Sequence, residues 1–275
     1  MADTGALVRP LSVRQAGIGD AAIGSRDALG ISSDPANVFP ASGRAQIAAM
    51  AGSSLDGPDA AFGVAGSMRW SGKRALGMVV SFQRVGGIDE YDAGGVPVGR
   101  RLAQDTIVAG IATGGERGRW RTGVLVKVVS DRLGGVRATG LAGDVGTTVE
   151  LGPVTAAAGA RNISRGRTGN LSVPEVRAGA GWRILEERLA VAAEGVAWPG
   201  GDRAAAVRGG VEWRPAGGLA LRAGAAVPSS GRARFSFGIT GALRSGALDY
   251  ACATRDPKAV HSAAVSYAAG AAQEP

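Results

Sequence analysis

Between Arg44 and Gly270, apolar and polar residues alternate in fourteen short stretches, joined by connections that are alternately very short and longer. Successive side chains of a strand point to opposite faces, so a period of two sorts these residues as no helix could. In one stretch Leu219, Leu221, Ala223, Ala225 and Val227 interleave with Arg222; in another Val207, Gly209, Val211 and Trp213 interleave with Arg208, Glu212 and Arg214. One face is apolar and the other charged, the pattern of strands with lipid outside and a polar interior.

The period predicts strands at 45–53, 60–70, 74–85, 103–113, 119–131, 144–151, 154–161, 174–184, 188–198, 204–214, 219–227, 232–244, 247–254 and 259–269. Connections 71–73, 114–118, 152–153, 185–187, 215–218 and 245–246 are tight and carry Gly, Ser or Pro, as hairpin turns do. Those on the other side include the longer stretches 86–102 and 132–143. Short turns on one side and longer loops on the other mark an outer-membrane barrel, and an even strand count places both termini on the inner side. The expected fold is therefore all-β: a fourteen-stranded antiparallel transmembrane β-barrel over 44–270, preceded by a short N-terminal plug segment, 1–43, and followed by a tail, 271–275. A soluble β-sandwich or repeat protein is the alternative that alternation leaves open.

No run of about 20 apolar residues is present, which excludes a transmembrane helix. The chain has 46 glycines, many at strand positions such as Gly66, Gly77, Gly123, Gly146, Gly210 and Gly224; these are expected to relieve crowding where a barrel curves. Residues 11–43 hold Gly17, Gly19, Gly24, Gly30, Pro35 and Pro40, too many breakers for one long helix. Short helical turns against the inner mouth are expected there, with Asp34 and Asn37 bonded to backbone or to a lumen arginine. The opening MADTGALVRP lacks a signal-peptide pattern, so a bacterial outer-membrane location implies a mature form whose signal peptide has been removed.

The net charge of +8 comes from basic residues that are spread rather than clustered, which argues against a nucleic-acid partner. Strand parity turns Arg69, Arg121, Lys127, Arg177, Arg183, Arg208, Arg214, Arg222, Arg234 and Arg244 inward, with Asp144, Glu150, Glu194, Glu212 and Asp249 as acidic partners. Ion pairs that fill a narrow interior are the first reading, and attraction of anionic groups the second.

The single Cys252 excludes an internal disulfide and a cysteine metal cluster. It reads as a small buried hydrophobe without a histidine-based partner, and His261, the one histidine, as structural. Gly114-Gly115-Glu116-Arg117-Gly118 and Gly179-Ala180-Gly181 resemble phosphate loops but open no helix. Asp89, Glu90 and Asp92 match no calcium-loop spacing. With Tyr91 they are expected in the longest outer loop, where loops on a rigid scaffold are freest to make contacts. No nucleophile is matched to a base, so neither an enzyme nor a cofactor is expected. Trp70, Trp120, Trp182, Trp198, Trp213, Tyr250 and Tyr267 are candidates for interfacial girdles.

Gly17-Ile18-Gly19-Asp20-Ala21, Arg26-Asp27-Ala28 and Asp34-Pro35-Ala36-Asn37 together resemble the opening of the PorV/PorQ family within the FadL-like group of fourteen-stranded barrels, with Asp34 where that family carries asparagine. Gly123-Val124-Leu125-Val126-Lys127, Asp144-Val145-Gly146, Ala160-Arg161-Asn162, Val211-Glu212-Trp213-Arg214-Pro215, Leu248-Asp249-Tyr250-Ala251 and the strand opening at His261 extend the resemblance along the chain. It implies a plug built on Gly17, Gly19, Asp27, Asp34, Pro35 and Asn37. It also implies a non-enzymatic accessory of protein secretion, with outer-membrane lipid and secretion components or exported proteins as partners. The alternative is a FadL-like conduit for long-chain fatty acids or other hydrophobic small molecules; a structural or adhesive surface protein is the third. A conduit calls for an apolar lumen, whereas the inward set read here is rich in Arg and Gly.

Overall fold

The computed structural model describes residues 12–21, 28–41, 43–54, 57–92, 94–164, 173–199, 205–215, 218–229, 232–255 and 258–269. Fourteen strands follow in chain order: β1 Ala45–Ser54, β2 Ala60–Ser71, β3 Arg74–Tyr91, β4 Pro97–Arg117, β5 Trp120–Leu133, β6 Val136–Leu151 and β7 Val154–Ile163. The second half holds β8 Glu175–Ile184, β9 Leu189–Ala197, β10 Ala205–Trp213, β11 Leu219–Pro228, β12 Arg234–Leu243, β13 Gly246–Arg255 and β14 Lys258–Ala269. Each strand pairs antiparallel with its sequence neighbours, and β14 pairs with β1 to close the barrel.

The period of two is clearest on β5. Arg121, Gly123, Leu125, Lys127 and Val129 are buried inside, while Trp120, Thr122, Val124, Val126 and Val128 are exposed outside. Around the wall the exposed side chains include Ile47, Phe62, Met78, Ile111, Val207, Phe237 and Val265. An apolar exterior on that scale belongs in lipid, and closure leaves no strand edge unpaired there. No described helix is long and apolar enough to cross a membrane, which says nothing of a barrel.

Two outer connections differ from expectation. Instead of a loop at 86–102, β3 and β4 continue as a ribbon paired at Ile88↔Leu102, Asp89↔Arg101 and Tyr91↔Pro97. Instead of a loop at 132–143, β5 and β6 meet at a turn through Gly134 and Gly135, whose φ values of 56° and 94° suit glycine. Alternation marks a strand only where one face is apolar; beyond the lipid both faces of a ribbon meet water and the signal fades.

The N-terminal segment lies within the barrel. A one-turn helix, α1 (Val13–Gly17), starts at Ser12, whose Oγ accepts the Gln15 N–H at 3.1 Å. The 3-10 turns Ala28–Ser32 and Pro35–Val38 follow. Val13, Leu29, Ile31, Val38 and Phe39 pack against Ala48, Ala61, Ala65, Ala75 and Ala112 of the wall in one core. The barrel proper starts at Ala45 and ends at Ala269, and the expected tail, 271–275, lies outside the described residues.

Candidate functional site

The lumen has two sectors. Along β1 to β5, small inward residues leave room that the apolar side of the N-terminal segment fills. The expectation of an inward face of Arg and Gly missed this sector, because alanine carries little weight in a hydrophobic pattern.

From β5 to β13 the interior is held by ion pairs. Lys127 Nζ lies 2.7 Å from Asp144 Oδ2 with both side chains buried. The other Asp144 oxygen accepts the Asn162 N–H at 2.7 Å, at a register shift where Asn162 takes a φ of 57°. Arg161 meets Glu175 at 3.3 Å, Arg121 meets Glu150 at 3.1 Å, and Arg177 lies between Glu194 at 3.7 Å and Asp34 at 3.9 Å. Glu212 gathers three guanidinium groups: Arg14 through two hydrogen bonds of 3.0 and 2.8 Å, Arg214 at 2.7 Å and Arg222 at 2.6 Å. Arg222 also reaches Asp249 at 3.3 Å.

The remaining basic candidates sit nearer the ends. Arg69 stacks over Phe39 at 5.1 Å and pairs with Glu116 at 2.8 Å. Arg208 lies over Trp198 at 5.7 Å, and Arg234 is half-buried. Arg183 pairs with Glu187 at the short-turn rim. Arg244 does not face the lumen: β12 stops at Leu243, and the arginine sits exposed in the turn.

Each described residue of the N-terminal set has a definite place. Gly17 passes close to Gly238 of β12, and the Gly19 N–H donates to Ser236 Oγ at 2.9 Å. Asp34 caps the second 3-10 turn, its Oδ1 accepting the Ala36 N–H at 3.0 Å, with Pro35 in the first position. Asn37 donates to the Gly30 carbonyl at 3.4 Å. Asp27 lies outside the described residues. Because asparagine and aspartate cap equally well, Asp34 can stand where the resemblance carries asparagine. Burial raises the Asp34 carboxyl's pKa, and Arg177 and the Ala36 N–H oppose that rise.

Two strand glycines serve close approach rather than curvature. A Cβ on Gly123 would lie 2.1 Å from the Pro35 carbonyl oxygen, and one on Gly224 would lie 2.2 Å from the Gly19 nitrogen. Wall and segment are thus matched backbone to backbone. Beside α1, toward the short turns, remains a cavity of about 310 Å³ lined by Arg14, Ile18, Arg121, Glu150, Arg183 and Glu212 among others.

On the outer ribbon Asp89 pairs with Arg101 at 3.4 Å and Glu90 with Arg100, while Asp92 Oδ1 accepts the Gly94 and Val96 N–H groups at 2.9 Å and shapes the turn. Tyr91 is exposed beside them. Among the described residues no cluster of His, Cys, Asp or Glu could hold a metal ion. No histidine is near Cys252 in sequence, but the register sets His261 directly opposite it; the latter contacts Tyr250 Oη through Nδ1. Cys252 is half-buried on the outer wall rather than fully buried.

Sequence reasoning passed over Arg14, Arg161 and Glu175. Parity turns Arg161 inward within the expected strand 154–161, and Glu175 likewise within 174–184, and the structure buries both. Arg14 has no such signal, since α1 is too short to show a period.

These features define a class: a closed, membrane-spanning barrel of fourteen antiparallel strands whose own N-terminal segment occupies its lumen. Among solved structures the chain is similar to the toluene transporter TodX of Pseudomonas putida, with a TM-score of 0.74 at 12% identity over 94% of this chain and 98% of that one. The CymD monoaromatic hydrocarbon channel aligns with a TM-score of 0.70 at 14% identity, over 96% and 98%, and a TodX mutant lacking S2 and S3 with 0.72 at 13%, over 93% and 98%. At such identities the likeness is one of fold. Nothing in these likenesses singles out the PorV/PorQ family. No protein-family model matches the chain, and no curated protein matches it in sequence.

Proposed function

We propose that this protein is a non-enzymatic channel of the bacterial outer membrane, a FadL-like conduit that passes hydrophobic small molecules. The observation that carries the reading is full-length likeness of fold to hydrocarbon channels, over more than nine-tenths of both chains. The apolar side of the internal segment is packed into an alanine-lined sector of the wall, and displacement of the segment would open there an apolar path for a solute. The cavity beside α1 has the volume of a small-ligand site, but its charged lining of Arg14, Arg121, Glu150, Arg183 and Glu212 suits a polar group rather than a hydrocarbon. The short turns then face the periplasm and the β3–β4 ribbon faces outward. The neighbours lend no support to the secretion accessory that the resemblance implies.

The test is uptake by the intact protein in proteoliposomes. Toluene and a long-chain fatty acid, each radiolabelled, should enter faster than into protein-free vesicles, with saturation for at least one of them. Uptake at the protein-free rate for both, together with co-purification of exported proteins from the native membrane, would return the reading to secretion.

A further inference from the structure

At the short-turn end of the barrel the outer wall carries Trp70, Trp120, Trp182 and Trp213, each between 50% and 54% exposed. Four of the chain's five tryptophans thus share one level. All four face away from the lumen, in contrast to the buried inward neighbour Arg121 of Trp120. Around them lie Arg44, Lys73, Arg74, Arg117, Arg119, Arg188 and Arg244, all exposed and none in an ion pair with a described residue. Arg117 sits directly opposite Trp120 across the β4–β5 pair. Against this excess the exposed acids at that end, among the described residues, are Glu186 and Glu187, and Glu187 is held by Arg183.

The opposite end is built differently. On the ribbons of β3 to β6, Arg84, Arg100, Arg101, Arg132 and Arg137 are balanced by Asp89, Glu90, Asp92, Asp105 and Asp131. Arg84 is paired with Asp105, Arg100 with Glu90 and Arg101 with Asp89. On the ribbons of β3 to β6 acids and bases thus balance, whereas the rim that holds the tryptophans carries a positive excess among the described residues.

We infer that the short-turn rim is a binding collar for anionic glycerophospholipid, the indole rings resting at headgroup depth and the guanidinium and ammonium groups meeting lipid phosphates. Tryptophan favours that depth because it has an apolar body and one N–H donor. Long basic side chains beside it can lay their methylenes along the apolar wall and carry their charge into the headgroup layer. A planar guanidinium binds a phosphate through two parallel hydrogen bonds, which suits the predominance of arginine. The inference needs only that the barrel sits in a bilayer, so it stands or falls apart from the nature of the solute.

The tryptophans themselves provide the measurement. The intact protein is reconstituted in bilayers where brominated phosphatidylglycerol or brominated phosphatidylcholine competes with an unbrominated lipid, and fluorescence quenching gives relative binding at the wall. The anionic lipid should be preferred about fivefold, equivalent to ~1 kcal/mol for a basic side chain at an anionic surface. The preference should fall toward unity at about 1 M salt. It should fall likewise in the K73Q/R74Q/R117Q/R119Q/R188Q variant, with closure checked by compact migration on an unheated gel. If that variant does not close, R117Q/R119Q, flanking Trp120, provides the reading with a smaller drop. Equal quenching by both lipids in the intact protein, or a preference that survives the substitutions, overturns the collar.

Discussion

Glu212 accepts hydrogen bonds from arginines of α1, of the connection just after its own strand and of β11, so one carboxylate joins the N-terminal segment to the wall. Removing one member of a buried ionic cluster strands its partners in a poor solvent, at a cost of about 3 kcal/mol or more. Glu212→Gln should lower the barrel's thermal unfolding temperature in detergent and speed protease cleavage near Arg14, whereas a change at the exposed Glu186 should do neither. The close contacts supply a second expectation. Gly123→Ala and Gly224→Ala each set a methyl group against segment backbone and should leave the barrel closed but its segment cleavable. Gly241→Ala, with open space around the added carbon, should behave like the parent. At Asp34 the folded-state pKa is raised, so its protonated form favours docking. The contribution is fully present below the ordinary aspartate pKa and is lost as pH rises through the raised value. Segment release, followed by cleavage after a brief pH pulse, should therefore increase with pH in that window, and Asp34→Asn should flatten the dependence while keeping the cap.

At the scale of the element, strand alternation made most of the wall legible. β2, β8, β10 and β11 fall within a residue or two of their expected limits, because each has lipid on one side for nearly its whole length. The ribbons of β3 to β6 could not be read in the same way, since Val85, Ile88, Leu102 and Val136 alternate with nothing consistent once water bathes both faces. That places Asp89, Glu90, Tyr91 and Asp92 on a paired ribbon rather than a loose loop. If they contact a partner, they do so from a stiff platform. Replacing 88–101 by a tight turn should leave detergent stability unchanged, because β3 and β4 remain paired from Arg74↔Gly115 to Val85↔Gln104. An unfolding temperature lowered by the excision would mean that the ribbon braces the wall.

For the whole molecule, the charged half of the lumen was readable from parity, as with Lys127 and Asp144, but the way the N-terminal segment fills the other half was not. Its contacts are single close approaches, such as Pro35 over Gly123, that leave no period in the sequence. Deleting residues 1–40 should leave a barrel that still closes, since no β1–β14 pair involves them. It should also bare the alanine sector and raise single-channel conductance in a planar bilayer; unchanged conductance would mean that the segment obstructs nothing.

The pairing of β1 with β14 has a further consequence, for the order of assembly. Ala45 meets Ala269 across the closing seam, so the ring cannot be completed until strands at opposite ends of the barrel sequence meet, and such distant pairings form slowly. The surfaces that receive the N-terminal segment lie on β1 to β6 for the two 3-10 turns and on β11 to β14 for α1, and the latter acquire their shape only as the last strands join. α1 must therefore wait for the strands at the far end of the barrel sequence, its Val13 side chain uncovered meanwhile. In refolding from urea into detergent, protease protection of residues 12–21 should appear no earlier than the gel shift that marks closure. Protection ahead of that shift would mean that the segment acts instead as a core around which the strands gather.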